Sequence, residues 1–169
     1  TSNKYDFDKI VKDHIDTDRY EYTIKYTESA GHATTLALEA ASQQKSIVVA
    51  VGGDGTINEV AAGLVHTEVA LAILPAGSGN GFALHLGLNK DHRSAIQQLN
   101  TAKRSKVDTC LLNGKFFINV AGLGFDAQGA YHTKTDSKRG FWNYLKRTLQ
   151  LSAKYRAEER RLEIDGKKI

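Results

Sequence analysis

The sequence predicts an α/β protein with a parallel sheet, followed by the start of a β-rich second domain. Two apolar runs, 46–51 and 69–74, each end in a glycine-rich turn that leads into a helical pattern. Strand and helix patterns alternate up to about residue 101, which favours right-handed crossovers between parallel strands. Hairpin signals take over after that point, so we predict domains at 1–104 and 105–169.

The bulk composition is that of an ordinary globular protein. The 169 residues are 41% hydrophobic and 25% charged, and no apolar run approaches the 18 or more residues of a membrane span. Cys110 is the only cysteine, so a disulfide framework is excluded and a cytoplasmic location is expected. Because the chain begins with Thr1 and contains no methionine, we expect it to be part of a longer polypeptide.

The residues before the first glycine-rich turn predict a helix, a strand and a second helix. Apolar side chains fall on one helical face over residues 5–15, and residues 20–26 alternate as in a strand. Residues 31–44 then carry apolar side chains at helical spacing, which predicts a helix that leads into the next strand.

The stretch 46–63 is the segment around which the remaining elements are organised. Its apolar, mostly β-branched run predicts a strand buried on both faces. The turn Gly52-Gly53-Asp54-Gly55-Thr56 follows, and a helical pattern covers 57–65. A strand, a glycine turn and a helix in this order predict a phosphate-binding loop. The alternative, a hairpin turn at Asp54-Gly55, would require a second strand where the helical pattern stands.

The second apolar run repeats this arrangement. Residues 69–74 predict a strand, residues 75–81 a glycine-rich turn, and residues 82–86 and 93–99 two helices. Because parallel strands bring their carboxyl ends to one edge of the sheet, we expect the two glycine turns to face one cleft.

The remaining residues predict hairpins and one helix. Residues 107–112 and 115–120 flank Asn113-Gly114, a strong hairpin signal, and a second hairpin turns at Asp165-Gly166. Residues 122–126 predict a loop and 140–152 a helix. Cys110 is expected within a strand as a buried small hydrophobe.

The two glycine turns also carry a family resemblance. Residues 52–60, GGDGTINEV, followed at 75–80 by PAGSGN, resemble the catalytic domain shared by diacylglycerol kinases, sphingosine kinases and bacterial lipid kinases. The likeness continues at Thr27, at 31–33, at Asp108, at 117–127 and at 140–141. It implies a first domain with the nucleotide-binding fold of NAD kinases and phosphofructokinases, and a β-sandwich-like second domain.

The resemblance implies an ATP- and Mg²⁺-dependent lipid kinase of phospholipid biosynthesis. Such an enzyme transfers the γ-phosphoryl group to the hydroxyl of diacylglycerol or of a sphingoid-type lipid. Asp54 and Asp108 match the carboxylates of the catalytic, Mg²⁺-linked network. The nucleotide site implied by the resemblance comprises Thr27, Gly52, Gly53, Asp54, Gly55, Thr56, Ile57, Asn58, Glu59, Gly77, Ser78 and Asn80.

Several of these residues have structural alternatives. Thr27 and Ser78 are either hydroxyl partners of the nucleotide or turn and N-cap residues. Glu59 either contacts the ribose or phosphates or stabilises the start of its helix. Asn80 is a candidate N-cap, and Asp126 is assigned a structural role.

The sequence departs from the family pattern in three places. Ser78 and Asn80-Gly81 stand where bacterial diacylglycerol kinases usually have Thr and Asn-Asp, a version closer to sphingosine kinases. An Asn-Pro-x-Ser-Gly strand is expected before residue 1. The Asp-Gly-Glu segment that supplies the general base is expected beyond Ile169, and Asp165-Gly166-Lys167 is not this segment.

A basic block predicts an acidic partner. Residues 134–161 contain nine Lys and Arg against three acidic residues, and aromatic side chains at 141, 142 and 144 lie among the cations of 138–147. This pairing favours peripheral attachment to anionic lipid, where the acceptor substrate is held; a solvated helix face is the alternative. We expect no nucleic-acid partner, and assembly as a homodimer is left open.

Two other functions compete with the lipid kinase. An NAD kinase-like enzyme would share the first glycine turn but not the PAGSGN turn. A non-catalytic nucleotide or lipid sensor would retain the fold and lack the general base.

Overall fold

The structure, a computed structural model, describes residues 4–125, 127, 156, 159 and 161–168. It divides the chain into two compact units, Thr1–Asn119 and Val120–Ile169. The elements of the first unit are α1 (Lys4–His14), α2 (His32–Ser42), β1 (Ile47–Gly52), α3 (Asp54–Leu64), β2 (Ala70–Pro75), α4 (Gly81–His85), α5 (His92–Thr101), β3 (Cys110–Leu112) and β4 (Lys115–Phe117).

Strands β1 and β2 form a parallel pair, as the alternating pattern predicts. The register places Ile47 beside Ala70 and Gly52 beside Pro75, with α3 as the crossover. The backbone of the pair continues one step beyond the strands, because Ala76 N–H donates to Gly52 O at 2.9 Å. Both glycine turns therefore leave the sheet at the same edge and at the same level.

The main core lies between this sheet and helices α2 and α3. Ala50 and Ile73 contribute from the two strands, while Ile57, Val60 and Leu64 contribute from α3. These α3 residues recur at helical spacing, so one stripe of the helix is buried. Ile57 is fully buried directly after the glycine turn, which fixes the first turn of α3 against the sheet.

Helices α2 and α3 approach each other closely at Gly63. A Cβ added at Gly63 would lie 2.7 Å from Thr34 O and 2.8 Å from the Cβ of Ala37. The Thr34 hydroxyl also donates to Glu59 O at 2.9 Å. Since these separations leave no space for a side chain, glycine at position 63 is a packing requirement of the helix pair.

A second, smaller core joins α1 and α5 to β2. It contains Val11, Leu74, Ala95 and Ile96. The end of α1 is held by Asn100 of α5, whose side-chain amide donates to His14 O at 3.0 Å and accepts from Asp16 N–H at 3.2 Å. The end of α1 is thereby attached to the end of α5.

Two predictions about strands are wrong in the structure. Residues 20–26 are not a strand, since the described residues offer this segment no ladder partner, although Ile24 packs against the second core. β1 is not buried on both faces: Val49 and Val51 are 36% and 38% exposed, because α5 packs on β2 instead.

The hairpins are confirmed, but the strands of the first one are shorter than the predicted 107–112 and 115–120. β3 and β4 pair antiparallel, with the turn residues Asn113 and Gly114 at φ 50° and 74°, as a two-residue turn of this type requires. In the second unit, β5 (Glu163–Ile164) and β6 (Lys167–Lys168) pair in the same way around Asp165-Gly166. Asp165-Gly166-Lys167 thus belongs to a hairpin.

The prediction that Cys110 is buried is wrong, since Cys110 is exposed. The next residue of β3, Leu111, is exposed as well, so the described residues do not cover this part of the hairpin. The β-sandwich-like architecture and the 104/105 boundary stay predictions, as does the helix over 140–152, which lies outside the described residues. Within the part of the chain that the structure describes, no helix has the length and apolarity to cross a bilayer.

Two glycine-to-alanine changes in α3 should have opposite effects on stability. Gly63→Ala should lower the free energy of unfolding by about 1–2 kcal/mol, because overpacking at a close helix contact outweighs the better helix propensity of alanine. Gly55→Ala, where an added Cβ would meet nothing within 4 Å, should raise it by about 0.5 kcal/mol. Urea denaturation followed by circular dichroism measures both, and equal effects of the two changes would contradict the packing role of Gly63.

Candidate functional site

The two glycine turns meet directly at the carboxyl edge of the sheet. A Cβ added at Gly53 would lie 3.2 Å from the Cα of Gly77. The backbone of Gly53 is extended, with φ −93° and ψ −175°, a conformation open to any residue. A Cβ added at Gly77 would overlap the Cα of Gly53, so glycine at position 77 is required by the close approach of the two backbones, and a side chain at position 53 would be tight.

Asn80 holds the second turn in shape. Its side-chain oxygen accepts from Gly77 N–H and its amide nitrogen donates to Gly77 O, both at 2.8 Å. Asn80 is 4% exposed and adopts a left-handed conformation with φ 57°, which Asn tolerates better than most residues. It occupies the N-cap position of α4, as predicted, but makes no side-chain capping bond.

Asp54 supplies the missing cap. Its carboxylate accepts from Gly81 N–H at 3.1 Å and from Phe82 N–H at 3.0 Å. These are N–H groups of the first turn of α4, which would otherwise lack an acceptor. A residue at the start of one helix therefore caps the next one along the chain and ties the two glycine turns together.

Helix α3 begins at Asp54, three residues earlier than the sequence pattern predicts, so the hairpin alternative at Asp54-Gly55 is wrong. The first intrahelical bond of α3 runs from Ile57 N–H to Gly53 O, at 3.1 Å. The N–H groups of residues 54–56 consequently have no acceptor within the helix. Such groups, together with the helix dipole, favour an anion at this end.

The glycines around the start of α3 differ in how much space surrounds their Cα atoms. A Cβ added at Gly55 would meet nothing within 4 Å, and one at Gly79 would meet only Asp54 Oδ2, at 3.5 Å. In contrast, a Cβ at Gly52 would lie 2.6 Å from the Thr56 hydroxyl oxygen. Thr56 folds back over the end of β1, whereas Gly55 and Gly79 leave backbone accessible.

Asn58 contacts the hairpin. Its amide nitrogen donates to Phe116 O at 3.4 Å, and its side-chain oxygen accepts from Ile118 N–H at 3.2 Å. Ile118 also packs against the main core. The end of β4 is thus attached to the second turn of α3.

Three other predicted site residues lie on the surface without such contacts. Thr27, Ser78 and Asp108 are exposed and make no hydrogen bond or ion pair with the described residues. Glu59 is half-buried. The hydrogen bond that it accepts, from the Thr34 hydroxyl, goes to its backbone carbonyl oxygen and not to its carboxylate. The structure brings together residues 52–58 with 77–82, and the nucleotide roles of all predicted residues stay predictions.

Tyr26, the residue before Thr27, is bonded to α1. Tyr26 donates its hydroxyl hydrogen to the Asp8 carboxylate, and this hydrogen bond raises the pKa of Tyr26 above its usual value. Among the described residues no three acidic, histidine or cysteine side chains cluster as a metal site would require.

Sequence reasoning missed the backbone partners of Asp54 and Asn58. One signal was available for Asp54. Helix α4 begins at Gly81, and the side chain of its N-cap residue, Asn80, makes no capping hydrogen bond. Its first N–H groups therefore needed an acceptor from elsewhere in the chain. No pattern links Asn58 to Phe116. Asp126 and the basic segment 138–147 lie outside the described residues.

Comparison with known proteins identifies one family. The model of the diacylglycerol kinase catalytic domain matches residues 1–112. A diacylglycerol kinase of Bacillus subtilis is 34% identical over 154 residues, which cover 88% of this chain and 50% of that protein. A diacylglycerol kinase of Staphylococcus saprophyticus is 31% identical over 172 residues, covering 98% of this chain and 56% of the relative.

Solved structures agree with these sequence matches. The crystal structure of a diacylglycerol kinase from Bacillus anthracis superposes with a TM-score of 0.61 at 27% identity, and covers 86% of this chain and 48% of that one. The chain therefore spans about half the length of the relatives that it matches.

Removal of the Asp54 carboxylate should destabilise the fold even without any ligand. Asp54→Ala leaves two N–H groups of α4 without an acceptor and should lower the free energy of unfolding by about 1–3 kcal/mol. Asp54→Asn retains one acceptor oxygen and should lie between Ala and the parent. Urea denaturation of ligand-free protein measures this, with the exposed Asp108→Ala as a control expected to change little. Equal stability of Asp54→Ala and the control would contradict the capping role.

Proposed function

Because the chain belongs to the diacylglycerol kinase catalytic-domain family, we propose that it is the nucleotide-binding part of a lipid kinase. The enzyme transfers the γ-phosphoryl group of ATP to the hydroxyl of diacylglycerol or of a sphingoid-type lipid. It acts at a membrane surface in phospholipid metabolism, from the cytoplasmic side.

One observation carries the proposal: the two glycine turns contact each other at adjacent strand ends, beside the start of α3. Gly55 is the informative residue. An added Cβ there would meet no protein atom within 4 Å, although glycine destabilises a helix by up to about 1 kcal/mol relative to alanine. Packing within the described residues does not require this glycine, whereas close approach of a phosphate to the backbone would.

The described residues would hold the phosphate groups during phosphoryl transfer. N–H groups of residues 54–56 bind phosphate oxygens, and the exposed hydroxyl of Ser78 faces solvent where a further phosphate contact is available. The acceptor oxygen bonds to the γ-phosphorus, the bond to the β–γ bridging oxygen breaks, and ADP leaves. The hydroxyl proton passes to a general base that we do not assign within the described residues.

The donor set fits a nucleotide-bound magnesium ion and not a cage made by the protein. Mg²⁺ in kinases keeps several waters and takes one or two carboxylates besides phosphate oxygens. Asp54 would hold it, through water, with lone pairs that its two N–H bonds leave free, and Asp108 is the second proposed carboxylate. When bound, the ion neutralises charge that develops on the phosphate oxygens.

Gly55→Ala tests the nucleotide site without disturbing the fold. The added methyl group should weaken the binding of Mg-ATP by about tenfold or more, because it occupies the space through which a phosphate reaches the backbone. Isothermal titration calorimetry on the protein produced from its complete gene measures this. The unfolding free energy of the same variant is the control, since it should not fall. Unchanged affinity in the folded variant would contradict the proposed phosphate site.

Transfer of labelled phosphate identifies the acceptor. The same protein is incubated with γ-labelled ATP and mixed micelles that contain diacylglycerol, a sphingoid base or neither, and with NAD. Labelling of one lipid supports the proposal and selects the acceptor. Labelling of NAD alone would show an NAD kinase, and nucleotide binding without any transfer would show a sensor, so either result contradicts the lipid kinase.

A further inference from the structure

We propose that Asn58 is a positioning residue that fixes the β3–β4 hairpin beside the nucleotide turns, and that it does not contact the nucleotide. This reassigns a residue that the family resemblance places in the nucleotide site. Only the expected effect on kinetics rests on the proposed function, because the hydrogen bonds of Asn58 can be tested without any substrate.

The side chain of Asn58 pairs with the hairpin as a neighbouring strand would. It donates to Phe116 O and accepts from Ile118 N–H, at 3.4 Å and 3.2 Å. The two backbone groups flank Phe117, and a carboxamide is the side chain that offers one donor and one acceptor at this separation. The two partners also fix which end of the amide is oxygen. With both ends occupied by the hairpin, half of the carboxamide's bonding capacity is already used.

Asn58 and Asp54 lie one helical turn apart on α3, so they share one face of that helix. Asp54 holds the start of α4, and Asn58 holds the end of β4. The two attachments converge, because a Cβ added at Gly81 would lie 3.7 Å from Asn119 Nδ2 and 3.9 Å from each Asp54 carboxylate oxygen. The first two turns of α3 therefore set the position of the second glycine turn and of the hairpin end together.

A consequence follows for the proposed reaction. In the proposed site, the end of the hairpin lies beside the bound phosphates. Its displacement would change the alignment of the acceptor hydroxyl, whereas phosphate binding by residues 54–56 would stay intact. Loss of Asn58 should accordingly reduce turnover, with little effect on nucleotide affinity.

Amide hydrogen exchange at Ile118 reports the contact directly, because Asn58 Oδ1 is its acceptor. In Asn58→Leu, which keeps the side-chain volume and removes both hydrogen bonds, exchange at Ile118 should accelerate by about tenfold. Asn58→Asp keeps the acceptor for Ile118 N–H and should accelerate it less. Gln97→Leu, which removes a carboxamide from the exposed face of α5, is the matched control and should leave exchange at Ile118 unchanged.

The same variants of the protein from its complete gene are then compared for Mg-ATP affinity and for kcat/KM with the lipid acceptor. We expect Asn58→Leu to change the Kd by less than about twofold and to lower kcat/KM by about tenfold, a loss of about 1.4 kcal/mol in transition-state stabilisation. A tenfold weaker Kd with unchanged exchange at Ile118 would place Asn58 on the nucleotide and overturn the proposal. Unchanged exchange alone also overturns it.

If the parent protein phosphorylates no lipid, the proposed function fails. The exchange measurement and the Kd still decide whether Asn58 positions the hairpin. Should Asn58→Leu not fold, Asn58→Ala, which also removes the acceptor for Ile118 N–H, takes its place. An exchange rate at Ile118 no faster in Asn58→Ala than in Gln97→Leu would then contradict the contact.

Discussion

The rest of the site depends on the contact between the backbones of Gly53 and Gly77. A side chain at Gly77 would separate the two turns, because an added Cβ would overlap the Cα of Gly53, and a Cβ at Gly53 would stand only 3.2 Å from the Cα of Gly77. The parallel ladder extends into this contact through the bond from Ala76 N–H to Gly52 O. With the turns held at this distance, the start of α3 lies beside the start of α4, and the carboxylate of Asp54 in α3 caps α4.

Asp54 shows how one carboxylate can serve the fold and the proposed chemistry at once. It caps α4 through two backbone N–H groups and stands at the helix start where phosphate would bind. A substitution at Asp54 therefore changes both the position of the second turn and any metal contact. Activity lost in Asp54→Asn does not by itself separate these two effects, which is why glycine and asparagine substitutions nearby give sharper tests.

The sequence predicts the parts of this structure that follow from local pattern. Alternation of buried strands and amphipathic helices gives the β1–α3–β2 unit, and Asn113-Gly114 gives the hairpin turn, because periodicity and turn chemistry act over a few residues. The pattern cannot give the start of α3 at Asp54, since Gly53 caps by its backbone alone. Nor can it show that residues 20–26 lack a ladder partner, because pairing depends on which strands lie alongside.

The remaining site contacts were beyond local pattern for a different reason. Asn58 and Phe116 are 58 residues apart, and the sequence around neither residue implies the other. Gly55 shows what sequence and structure supply together. The motif marks it as part of a phosphate turn, and the structure removes the competing explanation, since no neighbouring atom excludes a side chain there. A glycine that packing among the described residues does not require, at the first turn of a helix whose first N–H groups have no acceptor within the helix, supports the proposed approach of a phosphate to the backbone.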